Sequence, residues 1–303
     1  MAADPDQRPA AWAGISLMLL GVGMFSAGDV IGKLLVATLP VGQFLLLRAA
    51  TSLTLLSPLV WRERTAFSAM PRRWLQLLRV ALSASEVAAF FIAAIYLPLA
   101  DIITFYLASP IFVTIAAALV LDEPVDIRRW LAVVVGFAGV VLALRPSSAV
   151  MEWQALVALA GGLAFAVLMV VTRLLRGTPD ITLASTQLLG TLCLSAAMSL
   201  AGPSSWLPLT LREAVLIGVG GCITIAALFC VNRSLKLAPA SVVVPYQYSM
   251  IIWAAAFGYL VFGDVPRWTT IAGAAAIVAA GLYIVLHERA ADRAGVTMTP
   301  PPA

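Results

Sequence analysis

The sequence predicts an all-α integral membrane protein whose ten transmembrane helices form two inverted five-helix repeats. Three observations lead there. Of its 303 residues 62% are apolar and 11% charged, whereas soluble domains average roughly 25% charged. So few charges cannot clothe a water-soluble globule, which excludes a cytosolic enzyme, a nucleic-acid binder and a disordered chain. The apolar residues fall into ten runs, each close to the roughly twenty residues that a bilayer crossing takes. The chain also aligns with itself after a shift of 141 residues, five runs upon five.

The first run, 12–36, follows Asp4, Asp6 and Arg8 instead of a basic stretch and is too long for a signal-peptide core. It is expected to stay as the first span. The second, 40–61, closes on Trp61 and Arg62, and the third, 75–97, follows Arg72, Arg73 and Trp74. The fourth, 101–121, begins at Asp101, and the fifth, 128–145, lies between Arg128 and Arg145. The sixth, 152–173, opens at Trp153, and the seventh covers 181–201. The eighth, 212–236, begins at Arg212, the ninth covers 241–262, and the tenth, 267–286, stops before His287. Connections are too short for a soluble domain. Thirteen Lys and Arg residues fall on the side of the chain ends and three (Arg145, Arg212, Arg267) on the other, which places both termini in the cytoplasm. Seven tryptophans (12, 61, 74, 130, 153, 206 and 268) fall near span ends, where amphipathic rings prefer the interface; Trp253 is mid-span. Cys193, Cys222 and Cys230 lie inside apolar runs without CxxC or metal spacing, and read as packing residues without disulfides.

The self-alignment sets Leu97-Pro98-Leu99-Ala100 on Ala238-Pro239-Ala240-Ser241, Glu123 on Asp264 and Ala132 on Gly273. The first repeat is residues 1–147 and the second 148–303, ending in a short cytoplasmic tail. Five spans is an odd number, so the second repeat enters the membrane from the opposite side. Inverted repeats place a binding site near the midplane, between the halves.

A charge inside a span is costly enough to be a functional candidate. Asp29 and Lys33 lie in the first span, Arg48 in the second, and Arg79 and Glu86 in the third; Asp101 begins the fourth. The second half holds nothing comparable. Asp29 and Lys33 stand four apart, acid first, which favours an ion pair on one helix face. At a rise of about 1.5 Å per residue both reach the outer half, and Arg48 in the returning span reaches a similar level. The three read as one outer cluster that either locks the outer mouth or touches the solute. Glu86, at mid-span, suits proton coupling or capture of an ammonium group, against the plainer role of a neutral acid bonded within the bundle. Arg79 lies too far along the axis to pair with it and is expected to extend toward the headgroups.

Pro110 and Pro245 interrupt the fourth and ninth spans, kinking each helix and freeing carbonyls. Breaks in corresponding segments of two halves point to the transport site. Nearby stand Thr104, Tyr106, Ser109, Tyr246, Gln247, Tyr248 and Trp253. Aromatic walls with a few amide and hydroxyl groups suit a zwitterion with an apolar side chain; plain helix packing also uses aromatic residues. Ala272, Ala276 and Ala280 in the tenth span, with Gly136 and Gly139 in the fifth, predict close helix approach. That approach fits a monomer or a weak homodimer.

The segment Leu97 to Asp101, Ala108-Ser109-Pro110-Ile111-Phe112-Val113-Thr114, Glu123, Arg129-Trp130 and Gly139 through Arg145-Pro146 resembles the first EamA repeat of the drug/metabolite transporter superfamily. Ala238 to Ser241, Pro245-Tyr246-Gln247-Tyr248, Trp253, Phe262-Gly263-Asp264 and Gly281-Leu282-Tyr283-Ile284 resemble the second. One departure is Leu121-Asp122-Glu123-Pro124, where the family usually has Leu-Gly-Glu. The resemblance implies a ten-span inner-membrane carrier of small organic metabolites. Its closest flavour is shared by amino-acid exporters and S-adenosylmethionine carriers. Together with the aromatic candidates it favours export of amino acids, bulky apolar or aromatic ones included, by alternating access. S-adenosylmethionine or another cationic metabolite is second, with Glu86 or Asp29 as countercharge. No Walker, HExxH or GxSxG sequence is present, so neither ATP drive within this chain nor an intramembrane enzyme is expected. Neither a cofactor nor a metal is expected. The expected partners are a small-molecule solute, the lipid bilayer and protons.

Overall fold

The computed structural model describes residues 7–62, 72–109, 127–144, 153–175, 178–201, 206–237 and 244–293. Among them ten α-helices follow one another without a strand. They are α1 (Gln7–Val36), α2 (Val41–Arg62), α3 (Arg73–Ala94), α4 (Leu99–Leu107) and α5 (Ile127–Leu144), then α6 (Trp153–Leu174), α7 (Asp180–Ala201), α8 (Leu211–Leu237), α9 (Met250–Phe262) and α10 (Trp268–Arg293). A 3-10 turn, Val244–Ser249, leads into α9. Each helix falls on one of the ten expected runs. Six of them, α1, α2, α3, α6, α7 and α8, are long and apolar enough to cross a membrane by length and composition.

Local chemistry sets the ends. Pro40 opens the return into α2, and Pro98 precedes α4, because a residue before proline is biased away from helix. The α9 helix stops at Gly263, whose φ of 70° is left-handed, a conformation that glycine adopts at little cost. Its N–H returns to the Tyr259 carbonyl at 3.0 Å, which fixes where the next residue, Asp264, stands. The ninth run was expected to be one helix from 241. Instead Pro245, which has no N–H to give, lies within the 3-10 turn, and regular helix begins at Met250. Pro110 lies outside the described residues.

Packing interleaves the two repeats. The α1 helix lies along α8, and α3 along α6; α2 meets α7, and α5 meets α10. Likewise α3 meets α7 as α8 meets α2, and α4 meets α6 as α9 meets α1. Exchanging each helix with the one five places on turns every one of these contacts into another or into itself. That is the signature of a two-fold relation between repeats, and the odd number of spans in each inverts one against the other. The α5–α10 approach is as close as the small residues predicted. A Cβ added at Gly139 would meet the Gly273 carbonyl at 2.9 Å and Ala276 at 3.0 Å.

Phe44, Phe91, Leu35, Leu99, Ile102 and Ile103 are fully buried where α1 to α4 converge. Around the outside the chain exposes Leu200, Leu211, Ile252 and Leu260, an arrangement that lipid tolerates and water does not. All seven tryptophans expected near the interface are exposed, at or near helix ends.

Arg79 departs from its expected place. Instead of extending to the headgroups it is buried between α3, α6 and α7. It donates to Thr172 Oγ1 and to the Leu183 carbonyl, each at 3.0 Å, and to Gln187 Oε1 at 3.5 Å. Three neutral acceptors replace the water that the guanidinium gives up, so it stays inside. It braces these helices.

Candidate functional site

The site begins on one stripe of α1. Ser26, Asp29 and Lys33 recur at intervals of three and four residues, so they share a face. Asp29 and Lys33 are half-buried, and Ser26 is buried. Across from them α2 brings Arg48, whose guanidinium carbon lies 5.1 Å from the centre of the Phe91 ring and 5.8 Å from that of Phe44. Stacking on two ring faces holds the cation without a carboxylate in contact.

The Arg48 charge reaches both Asp29 and Glu86 of α3, and the two carboxylates reach each other. Among the described residues, no ion pair within 4 Å and no side-chain hydrogen bond occupies any of the three. Each is half-buried, although Phe44 and Phe91 beside Arg48 are fully buried. Partial exposure beside fully buried rings makes the space around these three charges the candidate binding hollow.

An aromatic series floors this hollow. Phe44 meets Phe91 edge-on at 4.9 Å, Phe91 meets Phe90 at 5.1 Å, and Phe90 meets Tyr106 of α4 at 5.4 Å. The Tyr106 hydroxyl donates to the Glu86 backbone carbonyl at 3.0 Å. Its seat is Gly161 of α6, where a Cβ would overlap the hydroxyl.

The remaining candidates separate. Trp253 lies against Gly23 of α1 and stacks with Phe257 at 5.7 Å, lining the α1–α9 seam. Tyr248 is buried, with its hydroxyl against Gly281, and belongs to the packing of α10. Tyr246 is exposed and Gln247 half-buried, and no described contact joins either to the charges. Thr104 bonds back to Ala100, and Ser109 to Tyr106 and Gly162; their hydroxyls serve their own neighbourhood.

Lys33 leaves the trio expected from the sequence. Its ammonium donates to Asp264 Oδ2 and to the Leu97 carbonyl, each at 3.0 Å, with the Phe262 ring centre at 4.6 Å. Beside it the Thr270 hydroxyl donates to Asp101 at 2.6 Å. Both contacts join the first repeat to the second, on the face opposite the chain ends, where a closed outer mouth would need them. The Gly263 turn supplies the missing partner: Asp264 comes from a connection, outside any span, so it was absent from the tally of embedded charges. An expected result follows for Lys33→Met. A partly exposed pair contributes about 0.2–1 kcal/mol, so a thiol reagent applied to that face should reach Ser26→Cys up to about five times faster. An unchanged rate would deny the pair a role in closing the mouth.

The EamA-like transporter family matches the chain twice, over residues 12–145 and 152–286. The chain is 25% identical to the S-adenosylmethionine uptake transporter of Rickettsia bellii over 281 residues, 92% of this chain and 95% of that protein. It is 28% identical to the riboflavin transporter of Rhizobium johnstonii over 227 residues, 73% and 72% of the two chains. With the pseudopaline exporter of Pseudomonas aeruginosa it shares 28% over 275 residues, 88% and 94%. A solved structure 16% identical in sequence superimposes with a TM-score of 0.60 over 93% of this chain and 98% of its own, a likeness of fold. Two matches that together cover almost all ten helices leave one assignment: the chain belongs to the EamA-like transporter family, as a multi-pass membrane transporter of small molecules and not an enzyme.

Proposed function

We propose that the protein is a secondary carrier for metabolites with an amino-acid head group, an ammonium beside a carboxylate. One observation carries this reading: a single guanidinium, 5.1 Å from the centre of the Phe91 ring, lies within electrostatic reach of two carboxylates. Arg48 takes the carboxylate of the solute, Asp29 and Glu86 take its cation, and Phe90, Phe91 and Tyr106 offer ring surface to an apolar or aromatic side chain.

Amino acids, including bulky apolar and aromatic ones, fit this arrangement and are the first candidates, moved outward by alternating access. S-adenosylmethionine has the same head group, with a sulfonium and an adenine ring besides, and fits as well. The printed function of the Rickettsia relative supports it. The excess of Lys and Arg on the side of the chain ends supports cytoplasmic termini, and the bacterial relatives support the inner membrane. Protons are proposed to take part in the cycle through Glu86.

Reconstituted protein should show saturable flux of a labelled amino acid or of labelled S-adenosylmethionine, with each competing against the other. Competition by riboflavin or nucleosides alone, with none by any solute carrying the head group, would overturn the assignment of Arg48 and the two acids to binding.

A further inference from the structure

We infer that the hollow accepts one net positive charge. Its cargo is therefore either an amino-acid-type monocation alone or a zwitterion accompanied by one proton. This rests on the head-group reading above and adds a rule of charge to it.

The sequence holds few charges deep within its spans. Asp29, Lys33, Arg48, Arg79, Glu86 and Asp101 are the candidates, and residues 110–121 and 238–243 hold none. Three of the six are engaged elsewhere. Lys33 is bound to Asp264 and the Leu97 carbonyl, and Asp101 accepts from Thr270 on the face opposite the chain ends. Arg79 is held by Thr172, Leu183 and Gln187 in another part of the bundle.

Among the described residues, the elements around the hollow bring no further charge to it. From α4 comes Tyr106, whose hydroxyl is committed to the Glu86 carbonyl. The α8 helix faces α1 with Ile223, Thr224, Val231 and the Cβ of Cys230, and α9 with Trp253. The α6 helix presents Phe165 to Tyr106. What remains is Asp29, Glu86 and Arg48: two negative charges against one positive. An uncompensated charge among membrane helices is costly, so something must supply the missing cation.

Without cargo, one proton carried by either Asp29 or Glu86 supplies it. When a monocation enters, the carboxylic O–H bond breaks, the proton passes to water on the open side, and the cation takes its place beside the carboxylate. A zwitterion adds no net charge and leaves the proton where it was. The two kinds of cargo therefore differ by one proton per binding event.

Methionine and S-methylmethionine are suitable probes, since they differ by one methyl group and one positive charge. Calorimetric titration of the purified full-length protein near neutral pH, in two buffers with different ionisation heats, counts the protons exchanged on binding. S-Methylmethionine should release one proton more than methionine. Equal counts, with both probes bound, would overturn the charge rule while leaving the head-group reading intact. Binding of neither probe would overturn both. Because the rule counts charges and not positions, Glu86→Gln and Asp29→Asn should behave alike. Each should lower the affinity for S-methylmethionine tenfold or more relative to methionine, and each should abolish the extra proton release. A folded variant that still releases the extra proton would refute the rule.

Discussion

Arg48→Met is expected to abolish solute binding. Removing one member of a buried charge group costs about 2–5 kcal/mol, mostly because the partners are left without compensation. That range corresponds to roughly 30-fold to several-thousand-fold in Kd. Here the partners are two carboxylates already within each other's field, and the solute carboxylate would lose its only proposed cation. Arg48→Lys should recover a small part of the loss, because a compact ammonium cannot spread across the Phe44 and Phe91 faces as a guanidinium does. Equilibrium binding read beside thermal stability separates the two effects. Full binding by a stable Arg48→Met protein would remove this residue from the site.

Gly32→Ala should be the most damaging single methyl group in α1. Its Cβ would overlap the Phe91 ring and stand 3.2 Å from the tip of Phe44. Both rings are fully buried and hold each other edge-on, so neither can turn aside. Overpacking of this kind costs about 1–3 kcal/mol, and it displaces the ring under Arg48. A lowered Tm and weakened solute binding should appear together. Gly28→Ala, one turn earlier, serves as a control. Its nearest neighbours would be Ile223 and Thr224 of α8 at 3.8 and 3.9 Å, so the added methyl should leave Tm unchanged or slightly higher. Equal losses in both variants would show that helix propensity, and not the Phe91 contact, governs this stretch.

The fold was legible because hydrophobic run length is a one-dimensional property. A stretch such as 212–236 declares a span by itself, and the alignment of Ala238-Pro239 with Leu97-Pro98 declares the repeat. The site was legible in part. Asp29, Arg48 and Glu86 stood out because charge in a span is rare; the spacing groups Asp29 with Arg48 and sets Glu86 apart at mid-span, whereas the structure sets all three within electrostatic reach of one another. Lys33 was read with Asp29 because spacing on one helix is all that a sequence offers. Its actual partner, Asp264, lies 231 residues away, on a turn set by one left-handed glycine. Arg79 was expected at the surface because a lone arginine near a span end has no visible reason to stay inside. Its acceptors on α6 and α7 become neighbours only after folding. Phe44, Phe90 and Phe91 drew no notice for a different reason: in so apolar a chain, a phenylalanine under a cation looks like every other.

The crosswise partnership of α1 with α8 and of α3 with α6 separates ancestry from mechanics. The duplicated halves are not separate packing units. With α1 against α8, α3 against α6 and α2 against α7, every large helix contact in the bundle draws on both copies. Cutting the polypeptide between residues 145 and 152 would yield two fragments with naked seams, each needing its sibling in the same bilayer before either becomes a stable object.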